Sequence, residues 1–346
     1  MDMIKNKPFL TDEKVDDFTA EDFVFVHRNE ELLDEAYTAT SYAKDVWMHF
    51  KKNKGAVLGA IIIIVIILLA IIGPMISGYK ADAINLDVQS LPPRIQGIYK
   101  LGIFSGYEKG VDQYAAHGVS QAFYWFGTDT NGRDLFTRVW EGTRVSLIIA
   151  LSAVVIDIVI GMSYGLISGY FGGKVDMVMQ RFMEILNGIP TLVVVTLLGL
   201  VLTPGITSIV FALMITGWIG MARISRAEVL KLKESEFILA SRTLGAKNFS
   251  IIFKEVMPNI FGQLIVMSMF SIPNAIFTEA FLSFVGLGIQ APDASLGSLI
   301  SDGYKSLTGH PHIIMSAIIV LALLMLSFNL FADGIRDAFD PNQKQR

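Results

Sequence analysis

No cysteine occurs anywhere in the 346 residues, which excludes disulfides and thiolate metal sites. Charge is scarce as well. Only 17% of residues are Asp, Glu, Lys or Arg, where soluble domains carry about a quarter. With 52% hydrophobic residues and a mean hydropathy of +0.52, the composition excludes an ordinary soluble domain and points to a membrane protein with several spans. No clear internal repeat is present. The little charge there is lies unevenly: the first fifty residues hold twelve acids against five bases, within a net charge of −4. Such a segment is a poor partner for nucleic acid and would be repelled by anionic lipid.

What the chain does have is long uncharged runs. Gly55 to Tyr79 is free of charge over 25 residues, enough for the ~20 that cross a bilayer. It starts too far into the chain, without a basic start or small-residue cleavage site, to read as a removed signal peptide. Lys51, Lys52 and Lys54 precede it, which predicts a cytoplasmic N-terminus. Ahead of it, residues 1–30 read as a weakly ordered acidic tail. Leu33, Tyr37, Thr40, Trp47 and Phe50 share one face of an interfacial helix with Trp47 at headgroup level. Residues 80–140 form a polar extracytoplasmic stretch ending in GTDTNGRDLFTR, where Asp129, Asn131 and Gly132 read as a turn entering a helix.

Val145 to Ser168 reads as the second span, interrupted only by Asp157. GYFGGKVD then makes a tight turn. Ile185 to Met221 is uncharged over 37 residues, too long for one crossing, and Thr203-Pro204-Gly205 divides it into two. Val256 to Thr278, kinked at Pro273, and Ile313 to Ala332 complete the set. The expectation is an all-α polytopic protein with six transmembrane helices and both termini cytoplasmic. Its regions are 1–50, an acidic tail with an interfacial helix; 51–79, the first span; 80–140, an external insert; 141–335, the transmembrane core; and 336–346, a cytoplasmic tail.

One charged segment, 230–259, is wedged between spans. From Arg223 to Lys254 it carries seven bases against three acids, as a cytosolic loop should. Helix formers run from Lys231 to Leu244, Gly245 breaks them, and Asn248 or Ser250 can cap a second helix. Pro258 sits where the next span begins, in a first helical turn. Phe237, Ala240 and Leu244 recur at helical spacing. A short amphipathic helix, a turn and a second helix between spans make a docking element for another protein.

Leu239, Ala240, Ser241, Gly245 and Pro258, with Glu236 upstream, resemble the EAA loop of bacterial ABC importer permeases. Leu239 stands where that pattern has an acid, Ser241 where it has a second alanine, and Met257 where it has leucine; the glycine-to-proline spacing is intact. GTDTNGRDLFTR, SGYFGGKVD, TEAFLSFVGLGIQAP (278–292) and FNLFADGIRDAFDP (328–341) are similar to C-type permease subunits of the oligopeptide, dipeptide and nickel branch. The insert at 80–126 is the part this pattern covers least. The resemblance implies the type I importer permease fold and a multi-pass protein of a bacterial cell membrane. It further implies half of a translocation pathway for oligopeptides delivered by an extracellular solute-binding protein. A second homologous permease and two ATPase subunits would be partners; no cofactor binds this chain, ATP being held by the partner subunits, so it is no enzyme. Coupling to the ATPases falls on Glu236, Phe237, Ala240, Ser241, Leu244, Gly245, Ala246 and Pro258. Dipeptides, nickel or peptide pheromones are alternative cargoes, and an ion-coupled secondary transporter is the alternative of another class.

Other motifs carry less. Gly161, Ser163 and Gly165 fit G-x-S-x-G, yet that nucleophile needs a strand-to-helix turn, and the same glycines make a close-packing helix face. Gly172-Gly173-Lys174 lacks the upstream glycine and following hydroxyl of a phosphate loop. The turn near Asp129 lacks the ligand spacing of a calcium loop. His310 and His312 read as boundary residues, short of a metal ligand set. Asp157 and Glu279, costly in hydrocarbon, should face a helix interior or a wet cavity. Both read as polar groups joining helices in preference to substrate contacts.

Overall fold

The structure, a computed structural model, describes residues 42–339 apart from 109. The acidic tail, Leu33, Tyr37, Thr40 and the chain beyond Phe339 lie outside the described residues. The chain forms two units, 1–45 and 46–346; of the first only the opening turn of helix α1 (Tyr42–Lys52) is described. Within the second unit, Trp47 at 55% exposure stacks on buried Phe50, with the Lys51 ammonium 4.9 Å from its ring centre.

Helix α2 (Lys54–Ile76) is apolar on every side, as a lipid-embedded span is, and only 28% of its most apolar window is buried within the protein. Asn53 caps it by accepting from the Ala56 amide at 3.1 Å. Pro74 lies inside this helix and cannot donate to the carbonyl of Ala70, four residues back. Arg144 donates to that same carbonyl through Nε at 3.2 Å and Nη2 at 2.8 Å. The orphaned acceptor is thereby satisfied by a neighbouring helix.

The stretch 80–126 has a small core of its own. A two-residue hairpin, β1 (Tyr107–Glu108) and β2 (Val111–Asp112), leads into a single turn of helix, α3 (Gln113–Ala116). Val88, Leu91, Tyr114 and Tyr124 are buried together. The Arg94 guanidinium lies 4.8 Å from the rings of both Tyr99 and Tyr114. Burial drives the Tyr114 phenol well above its ordinary pKa and lifts Tyr124 to about 12.

The turn read at Asp129 is present. The Asp129 carboxylate accepts from the amides of Asn131 and Arg133 and from the Arg133 side chain at 2.7 Å, and Gly132 takes φ +71°. Asp134 then caps the next helix by accepting from the Thr137 amide.

That helix, α4 (Leu135–Phe171), contains one π-helical segment, Asp157–Met162. The turn at Gly172-Gly173, both at positive φ, leads to α5 (Gly173–Asn187) and then α6 (Thr191–Leu202), which is bent 75° from it. Next come α7 (Ile206–Leu232), α8 (Glu236–Thr243), α9 (Asn248–Phe284), α10 (Leu296–Lys305) and α11 (His312–Phe339). Among the described residues five helices, α2, α4, α7, α9 and α11, are long and apolar enough to cross a membrane, and the bent pair α5–α6 makes a sixth if counted as one span.

Two expectations change here. The uncharged run 185–221 does divide at 203–205, but its first half is not a straight span. Gly188, Ile189 and Pro190 interrupt it, and the residue before a proline is driven away from helical backbone. Alone, α6 is about 18 Å long, short of the ~30 Å hydrocarbon thickness. Helix α9 begins ten residues before Pro258 and runs unbroken through Pro273.

The glycines of the G-x-S-x-G match pack helices together. A Cβ on Gly161 would stand 2.7 Å from the Trp218 carbonyl oxygen, and one on Gly165 would stand 2.3 Å from that of Ala222. Helices α4 and α7 touch backbone to backbone along this stripe, which Gly169 continues against Val229.

Candidate functional site

The loop between α7 and α9 is the site the sequence singled out. Helix formers continue from Lys231 onward, yet the helix stops at Leu232 and restarts at Glu236. The Ser235 hydroxyl donates to the Leu232 carbonyl at 2.7 Å, closing the first helix where a cap for the second would otherwise form. Within α8, Glu236 lies in the first turn and Arg242 in the last, both placed to suit the helix dipole.

The end of α8 is built for rigidity. Gly245 takes φ +81°, and its amide donates to the Arg242 carbonyl at 3.0 Å while that of Ala246 donates to Ser241 at 3.1 Å. This is the Schellman closure, which needs a left-handed residue after the helix. A Cβ at Gly245 would meet nothing within 4 Å, so its requirement is conformational and not steric. Lys247 in extended conformation leads into α9, and neither Asn248 nor Ser250 caps it. The Asn248 side chain is engaged elsewhere.

Tyr170, at the end of α4, holds both arms of the hairpin. Its hydroxyl donates to Asn248 Oδ1 at 3.1 Å and accepts from Arg242 Nε at 3.3 Å, and the Arg242 guanidinium lies 4.8 Å from its ring centre. Beside it, Arg226 of α7 grips Asp176 of α5 with two bonds of 2.6 Å, and Ser168 and Gln180 donate to the same carboxylate. Sequence reasoning had quoted the segment containing Ser168, Tyr170 and Asp176 but gave none of them a role. Tyr170 meets Arg242 and Asn248 at separations of 72 and 78 residues and Asp176 meets Arg226 at 50, so no local spacing signals those pairings; Ser168 lies only 8 from Asp176.

Only Ile238 of α8 is fully buried, against Ile251, Ile252 and Val256 of α9. The stripe expected to dock faces outward: Phe237 is 43% exposed, Leu244 is 87% exposed, and Ala240 is exposed between them. Phe249 and Phe253 extend this apolar surface along α9. Glu236 and Gly245 are exposed beside it, and Ser241 and Ala246 are half-buried at its edge. Four of the eight predicted coupling residues therefore lie within α8, and Leu244, Gly245 and Ala246 form its closing turn.

Pro258 stands apart, twelve positions beyond Ala246. It is not at a helix start but inside α9, directly after a π-helical segment, Ile252–Val256. A proline removes one amide donor and crowds the preceding turn, and a widened turn accommodates both.

The two intramembrane acids differ in surroundings. Glu279 is wholly buried, accepting from Ser146 of α4 at 2.6 Å and from Ser283 at 2.8 Å. It joins α4 to α9 as the sequence suggested. Asp157, 5% exposed, lines a cavity of about 360 Å³ between α4, α7 and α9.

Comparison with known proteins agrees across nearly the whole chain. The family described as binding-protein-dependent transport system inner membrane component matches residues 161–345, and the N-terminal TM domain of oligopeptide transport permease C matches residues 41–93. The dipeptide transport system permease protein DppC of Lactococcus lactis subsp. cremoris is 45% identical over 90% of this chain and 93% of its own. The DppC of Bacillus subtilis is 41% identical, covering 92% and 91%. The oligopeptide transport system permease protein OppC of Bacillus subtilis is 42% identical, covering 87% and 90%. Among solved structures, a chain of the inward-facing MetNI methionine ABC transporter aligns with a TM-score of 0.49 and 18% identity, over 58% of this chain and 96% of that one.

Proposed function

The chain belongs to the family of binding-protein-dependent transport system inner membrane components, multi-pass permease subunits of ABC importers, and from that premise we propose that it moves peptides. Its relatives named for dipeptide and oligopeptide transport support that cargo. In this reading a second homologous permease completes the pathway, an extracellular solute-binding protein delivers the peptide, and two ATPase subunits hold and hydrolyse ATP. Both termini lie in the cytoplasm, on the side of the basic loop Arg223–Lys254.

The observation that carries the coupling role is the outward stripe Phe237–Ala240–Leu244 on a helix whose end is locked. Leu244 at 87% exposure is unfavourable in water unless another surface covers it. ATP binding draws the two ATPases together and carries α8 with them. A lever must not bend where it is pushed. The Schellman closure at Gly245 and the Tyr170 bonds to Arg242 and Asn248 supply that stiffness. Displacement then passes directly into α9, since only three residues separate its first turn from the tip at Leu244. To invert a 1:99 population of inward and outward states, ATP must favour one by about 5.5 kcal/mol.

The test is Gly245→Glu, which disturbs the turn and adds charge at the docking face. The variant should insert and assemble yet lose ATP-driven peptide uptake in proteoliposomes. Wild-type uptake by an assembled Gly245→Glu complex would refute the coupling role.

A further inference from the structure

Asp157, buried in the helical core, lines an open cavity. Asp157 begins a π-helical segment, a departure from regular helix that recurs at functional sites. Thr216 of α7 and Ser271 and Thr278 of α9 also line the cavity. Their hydroxyls donate back to carbonyls of their own helices, those of Ala212, Met267 and Asn274 at 3.3, 3.4 and 2.8 Å. With their protons so committed, the Thr216 and Thr278 hydroxyls turn lone pairs to the interior, while Ser271, whose back-bond is the longest, also hydrogen-bonds the Asp157 carboxyl.

No basic side chain lines the space. The Asp157 carboxyl has Ser271 as a hydrogen-bonding neighbour but no cationic partner, and the rest of the polar lining, Thr191, Thr216, Asn274 and Thr278, is neutral. Glu279, by contrast, receives serine hydroxyls from both sides and has no cavity. The volume of about 360 Å³ falls within the range typical of small-ligand sites. Gly220 borders it, and a Cβ there would meet nothing within 4 Å, so the space is open on that side.

We propose that Asp157 and the hydroxyl oxygens around it form a cation-recognising station for the cargo, one that takes an ammonium group of the peptide in transit. This rests on the peptide-import reading. An ammonium carries three donors and no acceptor, which suits a carboxyl flanked by the oxygens of Thr216 and Thr278. Its charge also offsets the cost of a carboxylate kept from water. The ammonium can be the α-amino group of the peptide or that of a lysine side chain. Binding is transient: the cavity is open, and a station that held its cargo tightly would stall transport.

The test uses the complete importer in proteoliposomes with three tetra-alanine-based peptides: one with a free amino terminus, one N-acetylated, and one N-acetylated with a lysine at the third position. Uptake is normalised to peptide loaded on the binding protein. Asp157→Asn should lower the ratio of free-amino to acetylated uptake about tenfold, the size expected for one charge-assisted hydrogen bond. Asp157→Glu should restore most of it. If the lysine peptide loses uptake in Asp157→Asn as well, either ammonium is recognised; if it does not, recognition is of the α-amino group alone. Gly220→Leu, which fills the space without altering charge, should slow all three alike. A wild-type complex that refuses the loaded acetylated peptide would also support the station. Equal loss of all three peptides in Asp157→Asn, no loss at all, or normal transport by Gly220→Leu would overturn it. If the wild-type complex takes up none of the three, the peptide-import reading itself fails, whatever Asp157 does.

Discussion

The insert at 80–126 and the hairpin between α7 and α9 both expose apolar side chains, but the insert also encloses an aromatic core. In the insert, Arg94 lies among three aromatic rings, Tyr114 is fully buried with its hydroxyl bonded to the Pro92 carbonyl, and Thr128 bridges to Val88 and Leu91. In the hairpin, the backbone is equally well bonded but the side chains Phe237, Leu239, Leu244 and Phe249 point into open space. Rigid main chain beneath uncovered apolar side chains is the signature of a surface finished by another molecule. The insert differs in enclosing a small core of its own, although Leu86, Leu101, Ile103 and Phe104 remain exposed on it.

Substitutions should therefore produce opposite effects in the two regions. The largest change in stability belongs to the insert. Tyr114→Ala removes a buried ring and should cost about 3–5 kcal/mol, read as a lowered unfolding temperature of the insert by hydrogen exchange or limited proteolysis. Next is Tyr170→Phe, which keeps the ring beneath Arg242 but removes both hydroxyl bonds. It should cost about 1–2 kcal/mol and slow transport partially, with ATP hydrolysis less affected than uptake. The smallest change in stability is expected at the tip. Leu244→Asp should alter the stability of the isolated permease by no more than about 0.5 kcal/mol, while abolishing copurification with the ATPase subunits. A Leu244→Asp chain that unfolds, or that still retains its ATPases, would erase the distinction between the regions.

Much of this was legible in local sequence. The span at Gly55–Tyr79, the turn at Gly245, the outward stripe of α8 and the packing role of Gly161 and Gly165 follow from composition, spacing and backbone preference. The break at Gly188–Pro190 was missed because an uncharged run conceals its own corners: hydropathy reports the solvent and not the direction of the chain. The start of α9 was misplaced because Pro258 looks like a first-turn residue, and only the π-helical segment before it allows the helix to pass. Tyr170 and the Asp176–Arg226 pair were invisible because each depends on partners brought together by tertiary packing. Asp157 was noticed as an acid in a span, but whether it meets serines or a void depends on three helices at once.

The stripe of glycines between α4 and α7 has a mechanical consequence. With Gly161, Gly165 and Gly169 seated against the carbonyls and side chains of residues 218–229, no lipid tail fits between the two helices. Nor can either slide past its neighbour, since every step would drive a larger residue into the groove. They form one beam of double thickness, fastened at one end to the hairpin through Tyr170. Whatever swings in this half of the transporter must swing with that beam whole.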